Sequence, residues 1–293
     1  MTVASAQKST TVRSHVRPPR GLRTAFSLAE RVAPALVARA AFFLWCRPTG
    51  TRRTTTIPGG TRWTLPLGRG HVVGQTWGSG PRVYLVHGWG GHRGQLAAFV
   101  EPLVAAGHEV VAFDALSHGE SGPGAFGPRQ ATMPEMAATL AAVVAARGHA
   151  HAIVTHSFGG STTTLALLDG LTADRVVLVA PMADPLPYTR DFAEVLGFGE
   201  STRQRFLALM ERRAGRPLTD FDVARGVEQL DGPLPAALVV HDTQDKEAHH
   251  ADGERLARSW PGARLVTTTG LGHRRILRDP DVVAEVVKHV TAA

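Results

Sequence analysis

One cysteine, Cys46, stands in a chain of 293 residues. No internal disulfide can form, and no metal centre can be built from cysteine ligands. Such usage fits a reducing, cytoplasmic setting. Long apolar runs are missing as well. The most apolar early segment, APALVARAAFFLWC at 33–46, is interrupted by Arg39 and falls short of the roughly 20 residues that span a bilayer. It reads as an amphipathic helix docked on the body of the protein, with weak peripheral membrane contact through residues 26–46 as the other reading. Residues 1–21 are polar, basic and proline-containing, without the apolar core and cleavage pattern of a secretory signal.

Two nucleotide signatures are also absent. HGWGGHRG at 87–94 has neither the dinucleotide spacing nor the Lys-Ser/Thr of a phosphate loop, so no cofactor is expected. No H-x-x-x-H pair occurs. His249 and His250, in EAHHAD at 247–252, diverge on a helix, and no metal site is expected near Asp245.

What is present is ample apolar material, 43% of residues, enough for a sizeable core. The 32 Lys+Arg against 25 Asp+Glu leave a formal charge of +7. Much of the excess sits early, at Lys8, Arg13, Arg17, Arg20 and Arg23 and in RPTGTRR at 47–53. No basic stripe interleaved with aromatics accompanies it, so nucleic acid is not an expected partner.

The periodicities predict a basic leader over 1–25, expected to be flexible, then an N-terminal helix over 26–46 with a linker to 56. Two strands are expected near 61–66 and 71–77. From there short Val/Ile/Leu runs alternate with helical stretches: strands at 82–86, 108–114, 151–156 and 175–181, helices at 95–105, 134–147 and up to 169. Near-continuous apolar strands separated by helices indicate a mostly parallel central sheet covered on both faces, an α/β fold. The alternation lapses over 183–233, where charged helical stretches form a small insertion. It resumes with strands at 236–242 and 263–269, a helix to 260 and a last helix at 280–290. The expected division is therefore a core in two parts, 57–182 and 234–293, around a helical cap. An insertion leaving at a strand end sits over the edge where open-sheet sites form.

Five fragments fall at the exits of these strands. VTHSFGG at 154–160 places Ser157 between a strand and a helix. There a hydroxyl would meet the free N–H groups of a helix start, although serine also caps helices and fills turns. His273, in GLGH after the last strand, could act as a base for it, and Asp242 and Asp245, in HDTQD, as the orienting acid. The spacing does not choose between the two aspartates. HGWGG at 87–91 can turn a backbone N–H from Trp89 into the same edge. DALSHGES at 114–121 offers a second Ser/His/Asp set, Asp114, His118 and Ser121, but its crowding into one loop favours mutual turn hydrogen bonds.

In this order the motifs resemble the α/β-hydrolase fold family, in its cap-bearing serine hydrolase and esterase branch, over residues 60–290. HGWGG is similar to the oxyanion loop, DALSHGES to the D-x-x-x-H-G-x-S loop, THSFGG to the nucleophile elbow, HDTQD to the acid loop and GLGH to the histidine loop. The resemblance implies Ser157 as nucleophile, His273 as base and Asp245 as acid. It assigns the oxyanion hole to the N–H groups of Trp89 and Phe158. It implies hydrolysis of a small or medium carboxylic ester, with acyl transfer, thioester cleavage or a silent ligand-binding role as alternatives. The partner expected is a small-molecule acyl substrate; the oligomeric state is left open. Thr155 stands where the elbow pattern has glycine, and Asp242 where the acid loop does. Cap residues Phe192, Phe198, Phe206, Leu207, Leu209 and Met210 could line an acyl pocket or simply join the cap to its base. Arg190, Arg203 and Arg205 could meet an anionic substrate, but read first as a solvated face.

Overall fold

The computed structural model describes residues 20–50, 57–230 and 232–292. Eight strands form one sheet: β1 (Thr61–Leu67), β2 (Gly70–Trp77), β3 (Arg82–Val86), β4 (Glu109–Asp114), β5 (Ala150–His156), β6 (Ala173–Val179), β7 (Ala236–Asp242) and β8 (Arg264–Thr268). Their order is β1-β2-β4-β3-β5-β6-β7-β8. β1 pairs antiparallel with β2 and β2 with β4, while every pairing from β4 to β8 is parallel.

Alternation along each strand feeds two cores. Tyr84 and Val86 of β3 enter one apolar cluster, with Leu140, Leu165 and Trp260, while Val83 and Leu85 enter the other, with Phe99, Leu103 and Val286. Helices thus roof both faces of the inner strands, which is why runs such as β3 and β7 carry no polar face, whereas the edge strands β1 and β8 keep exposed residues. The chain adds β4 to one side of β3 and β5 to the other. That reversal opens a crevice at the C-terminal ends of β3 and β5.

Local chemistry reshaped three expected elements. The helix expected over 26–46 is two helices, α1 (Arg20–Val32) and α2 (Pro34–Trp45), parted by Ala33 at φ −144°, ψ 57°. Pro34 has no N–H for the carbonyl of Glu30, so it ends one ladder and opens the next as a first-turn residue. α1 also runs back into the leader expected over 1–25; residues 1–19 of that leader, and 51–56 of the linker, lie outside the described residues. The helix expected over 95–105 is a 3-10 segment, Arg93–Phe99, followed by an α-helix, Val100–Ala105. Pro102 cannot bond the carbonyl four residues back, so no continuous α ladder crosses the segment.

Between β6 and β7 lie helices Tyr188–Leu196, Glu200–Ala214 and Val223–Glu228. α1 and α2 pack on the first two through a third apolar cluster containing Phe26, Val37, Ala41, Phe198, Phe206 and Leu207. Trp45 meets Phe192 and Phe206 edge-on, at 5.1 and 5.8 Å between ring centroids. Edge-to-face pairs of this kind add about 0.5–1.5 kcal/mol each beyond their burial. No helix among the described residues is long and apolar enough to cross a membrane.

Candidate active site

β5 ends at His156 and the Phe158–Leu168 helix starts at once, leaving Ser157 at φ 55°, ψ −127°. A side chain held at positive φ costs about 1–3 kcal/mol and persists only where neighbours enforce it. Here the Ser157 N–H donates to the Val179 carbonyl at 2.9 Å, and the Gly160 N–H donates to the Ser157 carbonyl at 2.8 Å. The helix start lies against the exit of β3. A Cβ on Gly159 would stand 2.7 Å from the His87 carbonyl oxygen and 2.8 Å from that of Val86, so only glycine fits.

Thr155, the departure from the elbow pattern, is fully buried and donates its hydroxyl to the Val177 carbonyl on β6 at 2.9 Å. Its polar atom is therefore satisfied within the sheet. The helix clears it at Gly160, where an added Cβ would lie 3.5 Å from Thr155 Oγ1.

The acid loop leaves β7 and the histidine loop leaves β8. The His273 ring donates from Nδ1 to Asp245 Oδ2 at 2.7 Å, with both residues buried. Asp245 Oδ1 accepts the N–H groups of Glu247 (2.7 Å) and Ala248 (3.0 Å). His241 Nε2 stands 3.4 Å from Oδ2. Burial alone would raise the Asp245 carboxyl, but the His241 and His273 rings and these N–H groups outweigh it and hold it well below the usual carboxylate range. Asp242 does different work. It accepts from Thr268 Oγ1 (2.8 Å) and the Leu271 N–H (2.9 Å) through Oδ2, and from the Gln244 N–H (2.9 Å) through Oδ1, tying the acid loop to the histidine loop.

Sequence reasoning did not single out His156. It is buried against the His273 ring at 4.6 Å between centroids and donates from Nε2 to the His273 carbonyl at 2.9 Å. Burial, with His273 beside it, pushes its pKa down to about 3, so the ring is neutral. Its position next to Ser157 was the one signal available.

The HGWGG loop is fixed by His87. Its ring donates from Nδ1 to the Gly88 carbonyl (2.8 Å) and accepts the Ala115 N–H at Nε2 (3.0 Å), which fixes a neutral tautomer. Burial pushes its pKa down to about 4. Trp89 follows, its ring edge-on to Phe158 and His118, each at 5.5 Å. The backbone N–H groups of Trp89 and Phe158 have no acceptor among the described residues.

The second Ser/His/Asp set is taken up by structural bonds, within its loop and to β2 and Arg93. Ser121 Oγ donates to the Asp114 carbonyl (2.6 Å) and accepts the Val73 N–H (2.9 Å). The His118 ring donates from Nδ1 to the Leu116 carbonyl at 3.0 Å. Asp114 accepts the N–H groups of Arg93 (2.7 Å) and Glu120 (2.9 Å) and pairs with the buried Arg93 guanidinium, which also reaches Glu120 (2.6 Å) and Gln75 (3.1 Å). Arg93 had no place in the sequence reading; a lone arginine in a glycine loop gives no local sign of a buried partner.

Ser157 and His273 face a cavity of about 780 Å³, walled by Trp89, Phe158 and Met182 from the core, Phe192 and Met210 from the inserted helices, and Phe42 and Trp45 from α2. The expected pocket residues divide. Phe192 and Met210 line the cavity, whereas Phe198, Phe206, Leu207 and Leu209 pack with the α1/α2 cluster. Arg190 and Arg205 are exposed, but Arg203 is not the solvated side chain expected. It is buried and donates to Thr189 Oγ1 (2.9 Å), Glu200 (2.9 Å) and the Leu186 carbonyl (3.4 Å), bracing the inserted helices. His249 and His250 do not meet as a pair: the His249 N–H donates to Tyr188 Oη at 3.1 Å, and His250 Nδ1 lies 3.6 Å from Glu254.

A mostly parallel eight-stranded sheet covered by helices, with a sharp strand-to-helix turn after β5, has the architecture of the α/β hydrolases. The model of the alpha/beta hydrolase family matches residues 83–286, and the chain belongs to that family. No curated protein matches the chain. Solved structures of the same fold include a thermophilic esterase from Thermogutta terrifontis, 21% identical, covering 80% of this chain and 99% of its own, with a TM-score of 0.58. A serine hydrolase involved in carbazole degradation is 16% identical, over 80% and 99%, at 0.60. A thioesterase domain from the curacin biosynthetic pathway is 15% identical, over 80% and 100%, at 0.58.

Proposed function

We propose that this hydrolase-family protein is a serine-dependent carboxylic-ester hydrolase acting on small or medium acyl esters through an acyl-enzyme. The observation that carries the reading is the pairing, in the wall of one cavity, of a serine strained at a helix start with a histidine bonded to a buried, ionised aspartate.

Asp245 accepts the Nδ1 proton of His273, leaving Nε2 as the basic nitrogen. Ser157 Oγ makes no hydrogen bond among the described residues; the ring engages it as an acyl group is bound, since such contacts tighten with substrate in place. Ser157 attacks the carbonyl carbon as His273 takes its proton. The negative charge that develops on the carbonyl oxygen meets the open N–H groups of Trp89 and Phe158. His273 then protonates the departing alcohol, and a water deprotonated by His273 releases the acid and restores Ser157. The aromatic and aliphatic walls favour apolar acyl groups over charged ones. The lone cysteine, whose thiol is buried and pushed up to about 12 chiefly by desolvation, takes no part and suits a reducing cytoplasmic setting.

A panel of chromogenic esters of increasing acyl length tests this. The wild-type protein is expected to turn over short and medium esters, and Ser157→Ala to lose at least about 10⁴-fold in kcat. Equal turnover by the two proteins would overturn the proposal.

A further inference from the structure

Four large apolar side chains stand exposed among the described residues: Leu28 (58%), Val32 (85%), Leu36 (61%) and Phe43 (51%). All four lie on α1 and α2. On α1, Leu28, Arg31 and Val32 follow i, i+3, i+4 spacing, and on α2, Leu36, Arg39 and Phe43 follow i, i+3, i+7. Each set therefore shares one helix face. The opposite face of α2, Val37, Ala38 and Ala41, is buried in the cluster with the inserted helices. A helix apolar on both sides has use for two partners. One is the inserted pair, and the outer face has none among the described residues.

Charge specifies the second partner. Arg23, Arg31 and Arg39 are exposed on these helices, and their single acidic residue, Glu30, accepts the Gly199 N–H at 2.7 Å. The bias extends through the sequence. Residues 1–100 carry fourteen Lys/Arg and one acidic residue, whereas the other 193 carry eighteen and twenty-four. Exposed aliphatic and aromatic groups mixed with arginine, on a segment almost free of acids, have the composition of an interfacial helix. Anionic lipid headgroups attract such basic segments.

We propose that the outer face of α1 and α2 docks on an anionic bilayer surface, with Val32, Leu36 and Phe43 entering the headgroup boundary and Arg31 and Arg39 meeting phosphates. The docking is peripheral, since neither helix is long enough to span.

Co-sedimentation of the full-length chain with vesicles tests this, using equimolar phosphatidylglycerol and phosphatidylcholine against phosphatidylcholine alone. Wild type is expected to bind the anionic vesicles at least about tenfold more tightly than neutral ones, and to release in about 0.5 M NaCl, where charge attraction is screened within a few ångströms. Val32→Ser/Leu36→Ser/Phe43→Ser and, independently, Arg31→Glu/Arg39→Glu are each expected to bind at least about tenfold more weakly, with unchanged circular dichroism. Wild type remaining in the supernatant with anionic vesicles overturns the proposal, as does binding by both variants at the wild-type level. So does elution as a dimer that the serine variant converts to monomer, which would assign the face to a second copy of the chain.

Discussion

The chain carries two Ser/His/Asp sets, and they differ in where their members come from. Asp114, His118 and Ser121 lie within eight residues of one loop; Ser157, Asp245 and His273 arrive from the ends of β5, β7 and β8. In the first set Ser121 donates to the Asp114 carbonyl and His118 to that of Leu116, while the Asp114 carboxylate is taken by the Glu120 N–H and by Arg93. In the second, strand ends and loops hold the backbone, so side chains are left over. His273 keeps one nitrogen for Asp245 and presents a ring to the cavity, and Ser157 Oγ has no local partner to satisfy it. Composition alone therefore selects poorly between a structural loop and a reactive site. Distance along the chain selects better, because short-range hydrogen bonds compete for polar groups that a rigid sheet can keep apart.

The largest effect is expected between the two aspartates of the HDTQD loop. Asp245→Asn removes the charge that orients the His273 ring, and kcat/KM toward the best ester is expected to fall by about 10⁴. Asp242→Asn loosens the tie to Thr268 and Leu271 and is expected to stay within about tenfold of wild type in kcat/KM, while lowering stability by about 1–3 kcal/mol. Steady-state kinetics and urea denaturation of both variants check this; equal losses of activity would mean that turnover needs Asp242 as much as Asp245.

Acid titration separates the histidines. Burial depresses the pKa of His87 to about 4 and those of His118 and His156 to about 3. The unfolded chain binds these protons near pH 6.5, so below that value it holds more protons than the folded chain. Stability from this source is complete above pH 6.5 and falls as the pH drops toward 3–4. The urea midpoint is expected to decline steadily below pH 6.5; a midpoint unchanged from pH 7 to pH 5 would contradict the burial of these rings as neutral groups.

The smallest effect is expected at Ser121. Ser121→Ala removes one donated and one accepted hydrogen bond, costing about 1–2 kcal/mol of stability, with kcat/KM within about twofold of wild type. A large catalytic loss there would revive the loop set.

Much of this arrangement is legible in the sequence, and the unreadable parts share a cause. The strands announced themselves through runs such as RVYLV and AALVVHD, because burial on both faces leaves little room for polar residues. The order of the strand-exit motifs placed Ser157, Asp245 and His273 at one edge. Thr155 was legible only as a mismatch; its bond to Val177, twenty-two positions away, explains the fit and belongs to the neighbouring strand. Arg93 and Asp114 are likewise twenty-one positions apart and meet only because the β3 and β4 exits adjoin. The split at Pro34 was readable from the residue itself, whereas the packing of α1 and α2 on Phe198 and Phe206 depends on contacts about 170 positions distant along the chain, as the Ser27 hydroxyl donating to the Gly197 carbonyl illustrates.

One measurement bears most directly on the reading of Ser157 as a nucleophile. The folded protein is treated with a fluorophosphonate and the adduct located by peptide mass spectrometry, beside Ser157→Ala and Ser121→Ala. A single adduct on Ser157, absent from Ser157→Ala and undiminished in Ser121→Ala, is the predicted result. An unlabelled folded protein, or an adduct that persists in Ser157→Ala, would contradict it.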